Sequence, residues 1–141
     1  MRPTSLSHRA RSSLHVLICL LLIIIGAVGS SLAQRDGGKV NVQGLMIPGK
    51  DGALVSADLF RPDTATEKNK APMVIVSPGF QRTKETQISY SMELARRGYV
   101  TLVVDPYNQG ESTSQPPTND DPSIKPAIDY VSRTTTLNYV D

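Results

Sequence analysis

Pro72-Met73-Val74-Ile75-Val76-Ser77-Pro78-Gly79-Phe80 sets four consecutive apolar residues ahead of a serine, a proline and a glycine. An uninterrupted apolar run of this length is what a strand covered on both faces requires, and the Pro-Gly pair ends it in a tight turn. Downstream, Ile88, Ser91, Met92, Ala95 and Tyr99 recur at helical spacing. Thr83 is placed as the N-cap, Glu85 lies early, Arg96 and Arg97 lie late, and Gly98 stands where a helix would terminate. A second apolar run, Leu102 to Val104, follows at once. Strand, helix and strand make one right-handed crossover with two parallel strands, and buried parallel strands define an α/β sheet.

Upstream of this unit, Val40 and Val42 alternate with Lys39, Asn41 and Gln43, which predicts a strand over residues 39–47. Pro48-Gly49-Lys50-Asp51-Gly52 has the composition of a turn. Val55, Ala57 and Leu59 then alternate with Ser56 and Asp58, so the two stretches read as an antiparallel hairpin. Residues 61–71 are a polar bridge to the first parallel strand. After the second parallel strand, residues 106–123 are rich in Pro, Ser, Thr, Asn and Asp and form a long loop at the carboxyl end of a strand, where α/β sheets bind ligands. Residues 125–133 read as a short helix with Pro126 in its first turn. No internal repeat is present.

The N-terminal region has a different character. Every residue from Val16 to Val28 is apolar, Gly26 included, after an Arg-containing polar stretch and before Gly29-Ser30-Ser31-Leu32-Ala33. This is the three-part pattern of a secretory signal, with small residues at Ser31 and Ala33 and Gln34 as the new N-terminus. An uncleaved anchor is the rival reading, because Val16 to Ala33 reaches the lower limit of a membrane-spanning helix. The sequence therefore divides into residues 1–33, a signal peptide or membrane anchor, and residues 34–141, an α/β domain. Either way the C-terminal part is exported, to a periplasmic or extracellular location or held on the outer side of the membrane. Residues 16–33 would touch the membrane if uncleaved.

Composition removes several function classes. The 141 residues are 39% hydrophobic and 20% charged, an ordinary globular balance. Of 15 basic residues, Arg2, Arg9 and Arg11 precede the apolar run, leaving 15 − 3 = 12 against 13 acidic residues after it. The domain is near neutral, and its five tyrosines and two phenylalanines form no basic-aromatic stripe, so no nucleic-acid partner is expected. The single cysteine, Cys19, lies in the apolar run, which excludes an intrachain disulfide, a cysteine metal site and a cysteine nucleophile in the domain. A dinucleotide site would need Gly-x-Gly-x-x-Gly after the first parallel strand, where Gly79 is alone. No cofactor and no metal are expected.

A glycine at the end of a parallel strand lets the backbone turn so that its N–H groups face the cleft above the sheet, where one can stabilise a developing oxyanion. Pro and Gly also simply end strands in many proteins. Asp105, closing the second parallel strand, is placed to hold the following loop by hydrogen bonds. A serine hydrolase needs Gly-x-Ser-x-Gly, an imidazole and an orienting carboxylate. Gly110-Glu111-Ser112-Thr113-Ser114 lacks the final glycine, and the two histidines, His8 and His15, belong to the export segment. Residues 34–141 therefore form no Ser-His-Asp triad, and the chain by itself is expected to be inactive with no catalytic residue.

Residues 40–112 resemble the N-terminal half of the α/β-hydrolase fold. The resemblance rests on the hairpin, on Pro72 to Phe80, on Leu94-Ala95-Arg96-Arg97-Gly98-Tyr99-Val100 and on Asp105-Pro106-Tyr107-Asn108-Gln109-Gly110-Glu111-Ser112, in that order. It implies an oxyanion hole with the backbone N–H of Phe80 as donor, Gly79 beside it, and Pro78, Asp105, Gly110 and Ser112 supporting the loops. The Ser-Pro-Gly-aromatic turn is similar to that of secreted polyesterases and cutinase-like esterases, and the dienelactone hydrolases are a further likeness. Tyr107 and Asn108 replace the family's Arg-Gly. The resemblance also implies truncation before the nucleophile elbow, about 10–15 residues beyond Asp141, and a sheet left open where the next strand would pair, an edge that invites aggregation. The implied function is an exported serine hydrolase acting on small-molecule or polymeric esters and related acyl substrates. The alternative is a non-catalytic exported or membrane-anchored α/β module that binds a ligand through the 106–123 loop, as the missing imidazole suggests.

Overall fold

The computed structural model describes residues 8–79, 82–113, 124–134 and 137–141, in two units, Met1–Gly37 and Gly38–Asp141. The first is helix α1, His8–Gln34, whose side chains are exposed from Ser12 onward. Its Ser12–Gln34 stretch has 23 residues and contains an 18-residue window with a mean hydropathy of 2.7, about 35 Å of helix against a hydrocarbon core of about 30 Å. This length and composition suit a signal or an anchor. The helix stops because Asp36, Gly37 and Gly38 have φ values of 50°, 69° and 92°, and consecutive left-handed residues cannot continue a right-handed helix.

The second unit is built on a four-stranded mixed sheet of order β1-β2-β4-β3. Strands β1 (Val40–Pro48) and β2 (Leu54–Pro62) form the antiparallel hairpin, in register from Val40 opposite Pro62 to Pro48 opposite Leu54. Their turn closes through the Gly49 N–H donating to the Ala53 carbonyl at 2.7 Å, with Asp51 and Gly52 at positive φ. Strand β2 pairs antiparallel with β4 (Val100–Val104), and β3 (Met73–Val76) pairs with β4 in parallel, Met73 opposite Val100. The hairpin and the parallel strand-helix-strand unit are thus present, in one α/β sheet.

Alternation along β2 suggested a polar face at Ser56 and Asp58, whereas this strand packs in a core on each face, with Ser56 buried and Asp58 half-buried. Val55, Ala57 and Leu59 join Val100, Leu102, Val104 and Ala127 in the larger core under helix α3, Ile124–Arg133. On the other face Phe60, Val103 and Val40 pack with Met92 and Ala95 of helix α2, Ile88–Arg96. Full burial of each Val, Leu, Ile or Phe contributes about 1.5–3 kcal/mol, so the strand pairing order is set by these two cores.

Helix α2 begins later than Thr83 would have it. Lys84–Gln87 is a 3-10 turn, and Thr83 makes no capping hydrogen bond; its hydroxyl pairs with the Glu85 carboxylate instead. The end agrees with the sequence pattern, since Gly98 adopts φ 92° and the Tyr99 N–H returns to the Leu94 carbonyl at 3.1 Å.

Among the described residues β3 pairs with β4 on one side, and one isolated parallel bridge, Ala71 with Val140, lies two residues ahead of it. Ala71 accepts from the Asp141 N–H at 3.1 Å and donates to the Tyr139 carbonyl at 3.0 Å. Pro72, one residue on, turns its carbonyl the opposite way to the Val100 N–H. By the same alternation the main-chain groups of Met73 and Ile75 face the side on which Val140 lies.

Candidate functional site

Because β3 and β4 are parallel and end in register, Ser77-Pro78-Gly79 and Asp105 leave the same edge of the sheet. Pro78 is buried. Gly79 is exposed, with no heavy atom within 4 Å of where a Cβ would stand, and its carbonyl accepts from the Arg82 N–H at 3.1 Å. Phe80, the expected oxyanion donor, lies outside the described residues, as do residues 114–123 of the long loop.

Asp105 is fully buried and acts as a hub. Its Oδ1 accepts the Lys84 backbone N–H at 2.7 Å, its Oδ2 accepts the Glu111 N–H at 3.1 Å and the Lys84 ammonium at 3.3 Å, and its carbonyl accepts from Ser112 Oγ at 2.8 Å. Its own N–H donates to the Ser56 carbonyl at 2.8 Å. Ser112 Oγ in turn accepts the Ser56 N–H at 2.9 Å, which pins the loop to β2. Gly110, at φ 50°, lies against the Asp105 carboxylate: a Cβ there would stand 2.5 Å from Cγ and 2.7 Å from Oδ1, and would collide with Oδ2. Where the family has Arg-Gly, Tyr107 is buried with its ring on Gly49, and Asn108 takes a left-handed φ of 65° that asparagine tolerates.

The sequence pattern did not single out Lys84, Ser56 or Glu111, yet they complete this cluster. Lys84 is 4% exposed, and lysine is almost never so buried unless paired. Its ammonium donates to Glu111 Oε2 at 2.7 Å and Ser56 Oγ at 2.9 Å, besides Asp105. The Ser56 hydroxyl donates to Glu111 Oε2 at 3.1 Å. Burial would push the Lys84 ammonium down, but the Glu111 hydrogen bond and the charges of Asp105 and Asp58 outweigh it and hold the group above lysine's usual value. Asp58, on the same face of β2, is raised above the usual carboxylate value by desolvation, which the Lys84 charge offsets in part. The Lys84 and Ser56 hydrogen bonds hold Glu111 below its usual value. The cluster is a fixed polar frame: it ties the residues after β3 and after β4 together at the carboxyl edge of the parallel strands and contains no nucleophile–imidazole pair. Among the described residues no group of three or more His, Cys, Asp or Glu is arranged to hold a metal ion.

No family model matches the chain. It is similar to two uncharacterised bacterial proteins. With YcjY of Escherichia coli K12 it is 33% identical over 93 residues, 62% of this chain and 29% of that protein. With PA2218 of Pseudomonas aeruginosa it is 30% identical over 100 residues, 67% of this chain and 27% of that one. The crystal structure of PA2218 superposes with a TM-score of 0.59 over 69% of this chain and 32% of the other. The ferulic acid complex of Est1E from Butyrivibrio proteoclasticus is 27% identical, with a TM-score of 0.56 over 69% of this chain and 39% of that one. The α/β hydrolase GrgF from Penicillium shares the fold at 20% identity and a TM-score of 0.56, over 67% of this chain and 33% of GrgF.

The fold class defined by this sheet and its neighbours is therefore that of the α/β hydrolases and esterases. In particular, the chain spans less than a third of the length of the curated relatives it matches.

Proposed function

We propose that residues 34–141 are the oxyanion-hole half of an exported serine hydrolase that cleaves esters or related acyl substrates, with the nucleophile, acid and histidine encoded beyond Asp141. The observation that carries this reading is the Ala71–Val140 bridge. It is one isolated parallel contact just before the N-terminal end of β3; a strand continuing from it alongside β3 would end beside the turn that begins at Ser77, where a nucleophile elbow would bring its serine next to that turn. In the reaction, the serine Oγ would attack the acyl carbon as the imidazole takes its proton. The negative charge formed on the carbonyl oxygen would be met by the N–H of Phe80, a donor worth about 10²–10³ in rate in comparable sites. Gly79, exposed and with an open side, would let substrate approach the backbone closely. Pro78, Asp105, Gly110 and Ser112 would hold the turn and the facing loop. The acyl-substrate reading is supported by Est1E, similar in fold at 27% identity, whose structure holds ferulic acid, a carboxylic acid of the kind that ester cleavage releases. The domain reaches its site of action through α1, as a cleaved signal or as an anchor.

The test is to translate the gene downstream of the Asp141 codon, express the longer polypeptide and treat it with a fluorophosphonate. Labelling of one serine in a Gly-x-Ser-x-Gly context supports the reading. A folded, unlabelled product without serine elbow or histidine favours the binding-module alternative, whose support is that His8 and His15 are the two histidines of the chain.

A further inference from the structure

Along one face of β2 stand Val55, Ala57 and Leu59, all in the larger core, and the next position on that face is Arg61. An apolar residue would continue the row, so the arginine calls for an explanation. Its guanidinium carbon lies 3.9 Å from the centre of the Tyr139 ring. Its Nε and Nη2 both donate to the Ala65 carbonyl, at 3.0 and 2.8 Å. Ala65 is buried in the turn that leaves β2, with its N–H on the Pro62 carbonyl at 3.0 Å. The guanidinium is thus held from behind by main chain and presents its flat side to one aromatic ring.

That ring belongs to the segment that meets Ala71. The Tyr139 carbonyl accepts from the Ala71 N–H at 3.0 Å, and the Asp141 N–H donates to the Ala71 carbonyl at 3.1 Å. Main-chain bonds of this kind are open to any residue, so they do not decide which one lies opposite Ala71; side chains must. Burial decides it only in part, because Leu137 and Tyr139 are both in the core, and a slip of two residues would exchange one apolar side chain for another. What such a slip loses is the ring beside Arg61, since Tyr139 is the one aromatic residue between Leu137 and Asp141.

We propose that Arg61 is a positioning residue that sets the register in which the Leu137–Asp141 segment meets Ala71, by admitting the Tyr139 ring against a guanidinium that Ala65 holds in place. The claim goes beyond the reaction proposed above and concerns this chain alone: it fixes the phase in which any strand continuing from Val140 would run beside β3, whatever that strand carries.

The experiment has two arms, both on the full 141-residue chain in mild detergent. Amide hydrogen exchange read by NMR is predicted to rise about tenfold or more at Ala71 and Asp141 in Arg61→Met, the loss expected of a cation–π contact together with a charged hydrogen bond, with the Leu59 and Leu102 amides unchanged. Arg61→Lys keeps the charge without the planar fork and should resemble Arg61→Met. Tyr139→Leu repeats the pattern if Arg61→Met does not fold, and Arg97→Met, in the exposed pair with Glu93, serves as control. Unchanged exchange at Ala71 and Asp141, equal loosening at Leu59 and Leu102, or full rescue by lysine overturns the proposal. The second arm reads the register itself. In a Cys19→Ser background, Ala71→Cys is paired with Val140→Cys or with Asn138→Cys, and disulfide formation is timed. The first pair should close about ten times faster or more than the second when Arg61 is present, and the preference should fall to within about threefold in Arg61→Met. A preference that Arg61→Met leaves intact overturns the assignment. Neither arm depends on a nucleophile or on ester turnover, so failure of the hydrolase reading and failure of this one are told apart.

Discussion

Replacing Gly110 by alanine places a methyl group against the one carboxylate that organises both loops. Three costs add. A left-handed backbone costs an alanine about 1–2 kcal/mol, offset by about 0.4–1 kcal/mol from reduced freedom of the unfolded chain. The Cβ would lie 2.5 Å from Asp105 Cγ and 2.7 Å from Oδ1, an overpacking worth about 1–3 kcal/mol. Asp105 cannot retreat freely, since Lys84 and Glu111 hold it; losing one such charge-assisted bond costs about 1.5–3 kcal/mol. The expected total is about 2.5–7.6 kcal/mol, a large share of the roughly 5–15 kcal/mol by which domains are stable. At about 4–8 °C per kcal/mol, Tm should fall by at least about 10 °C. The assay is urea and thermal unfolding of the full chain in mild detergent by circular dichroism, there being no tryptophan. Gly52→Ala isolates the strain, because Gly52 has φ 78° and open space around it; Gly79→Ala, also unobstructed, should change stability by less than about 1 kcal/mol. A Gly110→Ala loss no larger than that of Gly52→Ala would refute the carboxylate collision and the fixed position of Asp105.

Two further outcomes follow from the burial of Asp58 and the apolar length of α1. Asp58 has a folded-state pKa raised by desolvation, so its ionised form opposes folding above that pKa and the opposition vanishes below the usual 3.8. Asp58→Asn should therefore be more stable than the parent at pH 7 and converge with it as the pH drops below that value; a difference independent of pH would contradict the assignment. Helix α1 should hold the unprocessed chain in the membrane fraction after alkaline carbonate washing, and deletion of residues 1–37 should release it. Intact mass of the exported product decides the fate of the helix, with Gln34 as first residue for a signal and the full mass for an anchor, and a product found unprocessed in the soluble fraction would contradict both.

The elements were legible where a periodic pattern is set by burial. Met73–Val76 and Val100–Val104 lie next to each other in the sheet, and the composition of the first run announced it. Gly98 ended its helix as its place in the pattern required. Ser56 read only as a polar member of the β2 alternation, because alternation distinguishes two faces of a strand but does not reveal that a polar cluster lies on the second. Lys84 escaped notice for a related reason: its partners lie 28, 21 and 27 positions away, and no local period encodes a pairing that the crossover creates. Gly110 and Ser112 were named through family resemblance, and the geometry adds what each touches: the Asp105 carboxylate for one, the Ser56 amide and Asp105 carbonyl for the other.

The central claim is that this half-sheet shapes an oxyanion site for a serine supplied from farther along the gene. Fluorophosphonate labelling of the longer polypeptide, read by peptide mass spectrometry, tests it most directly. The account predicts one labelled serine on a turn following a strand that continues from Val140 along β3. A folded, longer product that turns over an ester yet carries no label, or carries it on a serine within residues 34–141, would contradict it.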